Sequence, residues 1–154
     1  MGNHYIDKVV DNVTETYISM IEDNYRQLTT GSFRATPQIA SDATYTCNLQ
    51  PDDFQIDWNK STKDIFNLIR SYVYPYSFSF FFLNGQKIRV KSALVINDRR
   101  YIGVIPGRVV GIIPGVGVDI VTVDSVIRIK DVILDDDSVT TADEVVNKLS
   151  YTLV

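Results

Sequence analysis

The chain predicts an α+β fold, in which two N-terminal helices and a connector lead into a small β-barrel of five or six strands and a short C-terminal helix. Three observations carry this. Apolar residues recur at spacings of three and four before Gly31 and again after Trp58. From Phe78 onward the pattern changes to period two and to β-branched residues. Pairs of turn-forming residues punctuate that second half at short intervals. At 154 residues, 45% hydrophobic and 22% charged, the chain has the length and composition of one globular unit.

The first helix is expected over residues 12–30. Tyr17, Ile18, Ile21, Tyr25 and Leu28 form one stripe, Asn12 with Glu15 serves as the start, and Gly31 supplies the stop. Residues 32–58 lack periodicity and contain Pro37 and Pro51, so they read as an ordered connector with one short strand around Thr44–Cys47. Cys47 is the single cysteine; no internal disulfide can form, and it reads as a small buried or half-buried side chain. The second helix starts after Trp58. Ser61 and Asp64 have the spacing of a capping box, Ile65, Leu68, Ile69 and Tyr72 fall on one face, and Pro75 ends the element.

Strands are then expected over Phe78–Leu83, Gln86–Ile96, Tyr101–Val104, Arg108–Ile113, Val118–Val123 and Val126–Leu134. Asn84-Gly85 is the pair best suited to a type I′ hairpin turn, because both central positions need positive φ. So many short strands with tight turns bury their edges most simply by closing into a barrel. Asp135–Asp137 break the last strand, and Thr141 with Glu144 caps a short terminal helix carrying Val145, Val146 and Leu149.

Several chemistries are excluded or weakened. His4 is the only histidine and sits at the terminus, so neither a histidine-based zinc site nor a Ser-His-Asp arrangement can be assembled. The glycines between Gly103 and Gly117 lack the Lys-Ser/Thr of a phosphate loop and read as turn residues. Asp135-Asp136-Asp137 reads as a solvated strand end rather than a cation site. No catalytic residue, metal or cofactor is assigned. The N-terminus is polar, and no apolar run approaches the roughly 20 residues of a membrane helix, so the reading is a soluble, cytoplasmic protein with no membrane association.

Two features stand out as candidate sites. The net charge is −4, yet residues 65–118 hold seven basic residues and a single acid, Asp98. Within that segment Lys87, Arg89 and Lys91 alternate with Ile88 and Val90, which places three cations on one strand face. Together with Arg108 they form a candidate substrate-binding stripe suited to phosphate, with a plain charged strand face as the alternative. The aromatic run around Tyr76, Phe78, Phe80 and Phe82 puts three phenylalanines on one face. That face is core, a subunit interface, or a stacking platform for bases.

The string Ile56-Asp57-Trp58-Asn59-Lys60-Ser61, followed by Ile65-Phe66-Asn67-Leu68-Ile69-Arg70, resembles the opening signature of the C-terminal domain of formyltransferases. Thr36-Pro37-Gln38 and Ala43-Thr44-Tyr45 resemble the connector before it. Leu83-Asn84-Gly85-Gln86-Lys87-Ile88 and Pro106-Gly107-Arg108-Val109-Val110 resemble its hairpin and barrel strands. The likeness runs from about Thr36 to Leu134. It departs from the family at Pro75-Tyr76-Ser77-Phe78-Ser79-Phe80 and at Thr122-Val123-Asp124-Ser125, where turn glycines and a proline are replaced.

The resemblance implies an OB-like barrel, with residues 1–58 as helix and connector and 59–154 as the helix-plus-barrel part of one globular unit. It also implies that formyl transfer belongs to an N-terminal Rossmann-like domain of which this sequence shows no counterpart. His4–Asp11 resembles the segment carrying that domain's catalytic aspartate only in outline, and no catalytic role passes to Asp11. A non-catalytic role is therefore expected. The low isoelectric point, about 4.9, favours the branch acting on nucleotide-linked sugars, with substrate support or homodimerisation as the task. A tRNA-binding barrel, a catalytic partner domain and a ligand-free protein-interaction module are the alternatives.

Overall fold

The structure is a computed structural model and describes residues 4–154; residues 1–3, the start of the polar N-terminus, lie outside it. Three helices and eight strands follow one another as α1 (Ile6–Thr30), α2 (Thr62–Ser71), β1 (Phe80–Leu83), β2 (Gln86–Val90), β3 (Ala93–Ile96), β4 (Val109–Ile113), β5 (Gly117–Val121), β6 (Val126–Ile129), β7 (Asp131–Ile133), β8 (Val139–Thr141) and α3 (Ala142–Val145). The strands form two antiparallel four-stranded sheets, ordered β1-β2-β7-β8 and β3-β6-β5-β4. The α+β class therefore holds, and the single barrel of five or six strands does not.

The physical reason is a break in two long strands. Gln86–Ile96, expected as one strand, divides at Lys91 and Ser92; Val126–Leu134 divides at Lys130. At the break the Ser92 hydroxyl donates to Asp131, while Lys91 N and Ser92 N both donate to the Asp131 carbonyl. One ribbon thus serves both sheets. The remaining edges of β1 and β4 are joined through the C-terminal segment instead of to each other. Phe82 and Val154 exchange two backbone hydrogen bonds, and Leu153 N donates to Gly107 O.

Local rules account for most elements. Asn84 and Gly85 have φ of 52° and 83°, and they close the β1–β2 hairpin as expected. Ser61 caps α2, accepting from Asp64 N at 3.1 Å. Ile65 and Ile69 of α2 join Phe81, Ile88, Val90, Val118, Ile120, Ile127 and Ile129 in a core between helix and sheets.

Other expectations fail as well: the terminal helix ends at Val145, leaving Val146 and Leu149 beyond it, and Thr141 makes no side-chain cap bond. The first helix starts at Ile6, because Val9 and Val10 continue its stripe and Asn12 lies inside it. Thr44–Cys47 is not a strand, and the connector holds only two 3₁₀ turns, Ala40–Asp42 and Pro51–Phe54. Cys47 is exposed, since no element packs over that stretch. Residues 101–104 are an exposed loop, with Ile102 95% accessible, because no strand lies alongside to bond them. No helix among the described residues is long and apolar enough to cross a membrane.

The altered turn before β6 has a task of its own. Asp124 Oδ1 accepts from Thr62 N at 2.8 Å, Thr62 Oγ1 at 2.7 Å and Thr122 Oγ1 at 3.1 Å, tying the turn to the first residue of α2. The backbone bond from Thr62, chief among these, holds the carboxyl below its ordinary value. A depressed folded pKa means the stabilisation is complete above the unfolded value near 4 and is lost as pH falls through the folded one. Asp124→Ala, which removes the acceptor, is expected to cost about 1 kcal/mol at neutral pH, as a lost helix cap does. Urea midpoints between neutral pH and about pH 3 should then show a flatter acid limb than the parent.

Candidate functional site

The β1–β2 register pairs Phe80 with Arg89 and Phe82 with Lys87, so these four share the outer face of the first sheet. Phe81, Ile88 and Val90 take the inner face and are fully buried. On the outer face the Lys87 ammonium sits 3.7 Å from the centroid of the Phe80 ring. Phe80 meets Phe82 edge to face at 5.6 Å between centroids. Residues from two loops complete a groove of about 370 Å³, walled by Pro51, Phe54, Tyr76, Phe78, Lys87 and Arg89.

The predicted aromatics are thus gathered, but they differ in access. Tyr76 is exposed, Phe78 and Phe82 are half-buried, and Phe80 is 3% exposed beneath Lys87. The cations differ as well. Arg89 is half-buried, donates to the Leu134 carbonyl, and pairs with Asp137 at 2.8 Å, so its charge is neutralised within the fold. Lys87 and Lys91 are exposed and form no salt bridge among the described residues. Arg108 lies beside the second sheet, where its Nε donates to Thr152 Oγ1 at 2.7 Å; it does not join the groove. Arg99, another member of the basic segment, is held by Asp119 at 3.2 Å.

The groove's loop walls, Pro51, Phe54 and Pro75, carry no periodic signal, and the sequence gives no hint of them. The Arg89 partner Asp137 is equally hidden, because that pairing follows from the β2–β7 register, in which Arg89 faces Ile133. A second cleft, of about 410 Å³, runs past Asp52, Asp57, Trp58 and Leu153. Two carboxylates on its wall make it unsuited to anions. Among the described residues no group of three or more His, Cys, Asp or Glu is arranged to hold a metal ion. What the outer face can do is bind: a flexible cation beside accessible aromatic edges suits a phosphate carried next to a planar base. It offers no nucleophile with a neighbouring base.

Comparison with known proteins agrees with the motifs. The family model described as "Formyl transferase, C-terminal domain" matches residues 48–150. A methionyl-tRNA formyltransferase from Streptococcus thermophilus is 35% identical over 75 residues, covering 49% of this chain and 24% of that protein. One from Mycoplasma capricolum is 33% identical over 101 residues, covering 65% and 31%. The chain therefore spans about a quarter to a third of the length of the curated relatives it matches. Among solved structures, HypX from Aquifex aeolicus in complex with tetrahydrofolic acid superposes with a TM-score of 0.70 at 16% identity, over 97% of this chain and 26% of that one. At that identity the likeness is one of fold.

Proposed function

Because the chain belongs to the formyl transferase C-terminal domain family, with the family model spanning well over half of it, we propose that it is a non-catalytic, tRNA-contacting domain of a methionyl-tRNA formyltransferase-type system. The observation that carries this is the placement of Lys87 beside Tyr76 and Phe78 along one groove. The lysine would meet a backbone phosphate while the aromatic edges stack a base. Formyl transfer itself falls to other parts of such a system, a catalytic domain in the same or a partner chain.

The expectation of a nucleotide-linked sugar rested on the low isoelectric point. It gives way because the Streptococcus and Mycoplasma relatives are both named for tRNA. The overall −4 charge is compatible with RNA contact where Lys87 and Lys91 stand exposed outside any salt bridge among the described residues, while Arg89 and Arg99 are paired with Asp137 and Asp119.

Fluorescence anisotropy with labelled methionine tRNA, at about 50 and 200 mM salt, tests the reading. The Lys87→Glu/Lys91→Glu variant is expected to bind at least tenfold more weakly at the lower salt. Its salt slope should also be shallower, since a phosphate that no lysine neutralises keeps its condensed counterion, about one per site. Failure of the parent protein to bind at 50 mM would overturn the proposal. Parental affinity in the double variant would place the RNA on another face.

A further inference from the structure

Asp137 has no duty in the fold that explains its place beside the groove. It stands in the turn between β7 and β8, and that turn closes without its carboxylate. Leu134 N donates to Ser138 O at 3.0 Å, and Asp137 N donates to Leu134 O at 3.1 Å. The Ser138 amide and hydroxyl both donate to Asp136 Oδ1. Among the described residues the Asp137 side chain bonds only Arg89, at 2.8 Å, and it is 83% exposed. Arg89 in turn does not depend on Asp137. Its Nη2 also donates to the Leu134 carbonyl, so the guanidinium stays anchored when the acid is absent. Nε and Nη1 make no hydrogen bond among the described residues, which leaves most donors of the fork unused on a residue that walls the groove.

We infer that Asp137 is a specificity-determining residue of the groove: it occupies the Arg89 guanidinium as a ligand phosphate would, which keeps free phosphate ions out and restrains the hold on RNA. This assignment rests on the phosphate-and-base reading of the groove given above. Carboxylate and phosphate present similar acceptor oxygens to the same fork, so they compete for one cation. The contest depends on the ligand. With Arg89 satisfied, a free phosphate finds one available cation among the lining residues, Lys87. An ion in water gains little from a single exposed charge. A phosphate carried on a chain arrives with a base packed against Tyr76 and Phe78, and that contact holds it near Arg89 at high effective concentration. An exposed ion pair is weak enough to yield to it. Asp137 thereby makes the groove selective for phosphate attached to a base. Its φ is 62°, a left-handed conformation that asparagine tolerates as aspartate does, so Asp137→Asn removes the charge without added backbone strain.

Two titrations of the whole chain test this. One follows the Arg89 Nε–H resonance as inorganic phosphate is added at millimolar concentrations; the other follows methionine tRNA by anisotropy at about 50 and 200 mM salt. The parent is expected to show no saturable shift with phosphate, and Asp137→Asn to show one. Asp137→Asn should also bind the tRNA about three- to fivefold more tightly at the lower salt, the upper part of the range for an exposed ion pair. Its salt slope should steepen by about one, because one more phosphate contact releases one more counterion. Asp135→Asn removes an equal charge from an exposed neighbour and should gain less than about twofold. In an Arg89→Gln background Asp137→Asn should gain nothing. Equal behaviour of Asp137→Asn and Asp135→Asn, or a gain that persists without Arg89, overturns the inference and leaves RNA binding by the groove standing. Saturable phosphate binding at Arg89 in the parent overturns it too, because Asp137 then excludes nothing. A parent that ignores tRNA while Asp137→Asn takes up phosphate at Arg89 overturns the RNA reading alone and upholds the role of Asp137.

Discussion

Asp119→Ala is expected to destabilise the protein by about 3 kcal/mol, the cost of breaking a buried ion pair by removing one partner. Asp119 is fully buried in β5, directly opposite Arg128 of β6. Its carboxylate accepts a bidentate pair from Arg128, at 2.6 and 2.9 Å, and a third bond from Arg99 at 3.2 Å. Hydrogen bonding to that carboxylate raises the Arg128 guanidinium above its ordinary value. Room for the acid exists because its β4 neighbour is Gly111; a Cβ there would lie 3.2 Å from both Asp119 Cβ and Oδ2. Without the carboxylate, Arg128 keeps a mostly covered charge and no partner. Arg99, about half exposed, recovers much of its loss from water. Urea unfolding followed by Trp58 fluorescence measures the change. Asp119→Asn should fall between parent and Asp119→Ala, because one acceptor remains. The double variant Asp119→Leu/Arg128→Leu should recover much of the stability, since a buried pair can be replaced by apolar packing at little cost. An Asp119→Ala midpoint equal to the parent's would show that water already satisfies Arg128.

What the sequence disclosed divides by range. Interactions within four residues were legible: Ser61 with Asp64, and the Asn84-Gly85 turn, follow from hydrogen-bond geometry and φ alone. The family motif was legible because it lies in those same local segments. The two-sheet arrangement was not, since it depends on Asp131 meeting Ser92 across 39 residues, a contact that period-two patterning cannot express. The Tyr101–Val104 error has the same root: an apolar run makes a strand only when a neighbouring strand bonds it. At the candidate site, alternation put Phe80 and Phe82 on one face of their strand and Lys87 and Arg89 on one face of theirs; that the two pairs share a sheet face follows from the β1–β2 register, which alternation does not give. It could not say that Phe80 is covered by Lys87, or that Arg89 is neutralised by Asp137. Burial of an outer face is decided by loops such as Pro51–Phe54, whose position no periodicity encodes.

The sharpest single-residue effect is expected at Gly117, and its contrast with Gly85 shows why conformational preference alone is a poor guide. Both have positive φ, 140° and 83°, so an alanine at either carries backbone strain. They differ in what a methyl group would meet. At Gly85, in the exposed hairpin turn, nothing lies within 4 Å. Gly85→Ala should therefore cost about 1 kcal/mol, the preference for glycine at left-handed φ. At Gly117, the first residue of β5, a Cβ would sit 3.0 Å from both Ile129 C and Lys130 Cα and overlap the Ile129 carbonyl oxygen outright. Those are backbone atoms at the β6–β7 break, where the ribbon passes from one sheet to the other, so they cannot swing aside as a side chain end does. Relief requires separating β5 from β6 or shifting the break itself, which would disturb the Ser92–Asp131 linkage. Gly117→Ala should cost more than about 4 kcal/mol, in the range that backbone clash in a packed core produces, enough to unfold a domain of ordinary stability. The measurement is circular dichroism and thermal unfolding of both variants side by side. A folded Gly117→Ala protein within about 1 kcal/mol of Gly85→Ala would mean that the two sheets are joined more loosely at Lys130 than the close approach of Gly117 requires.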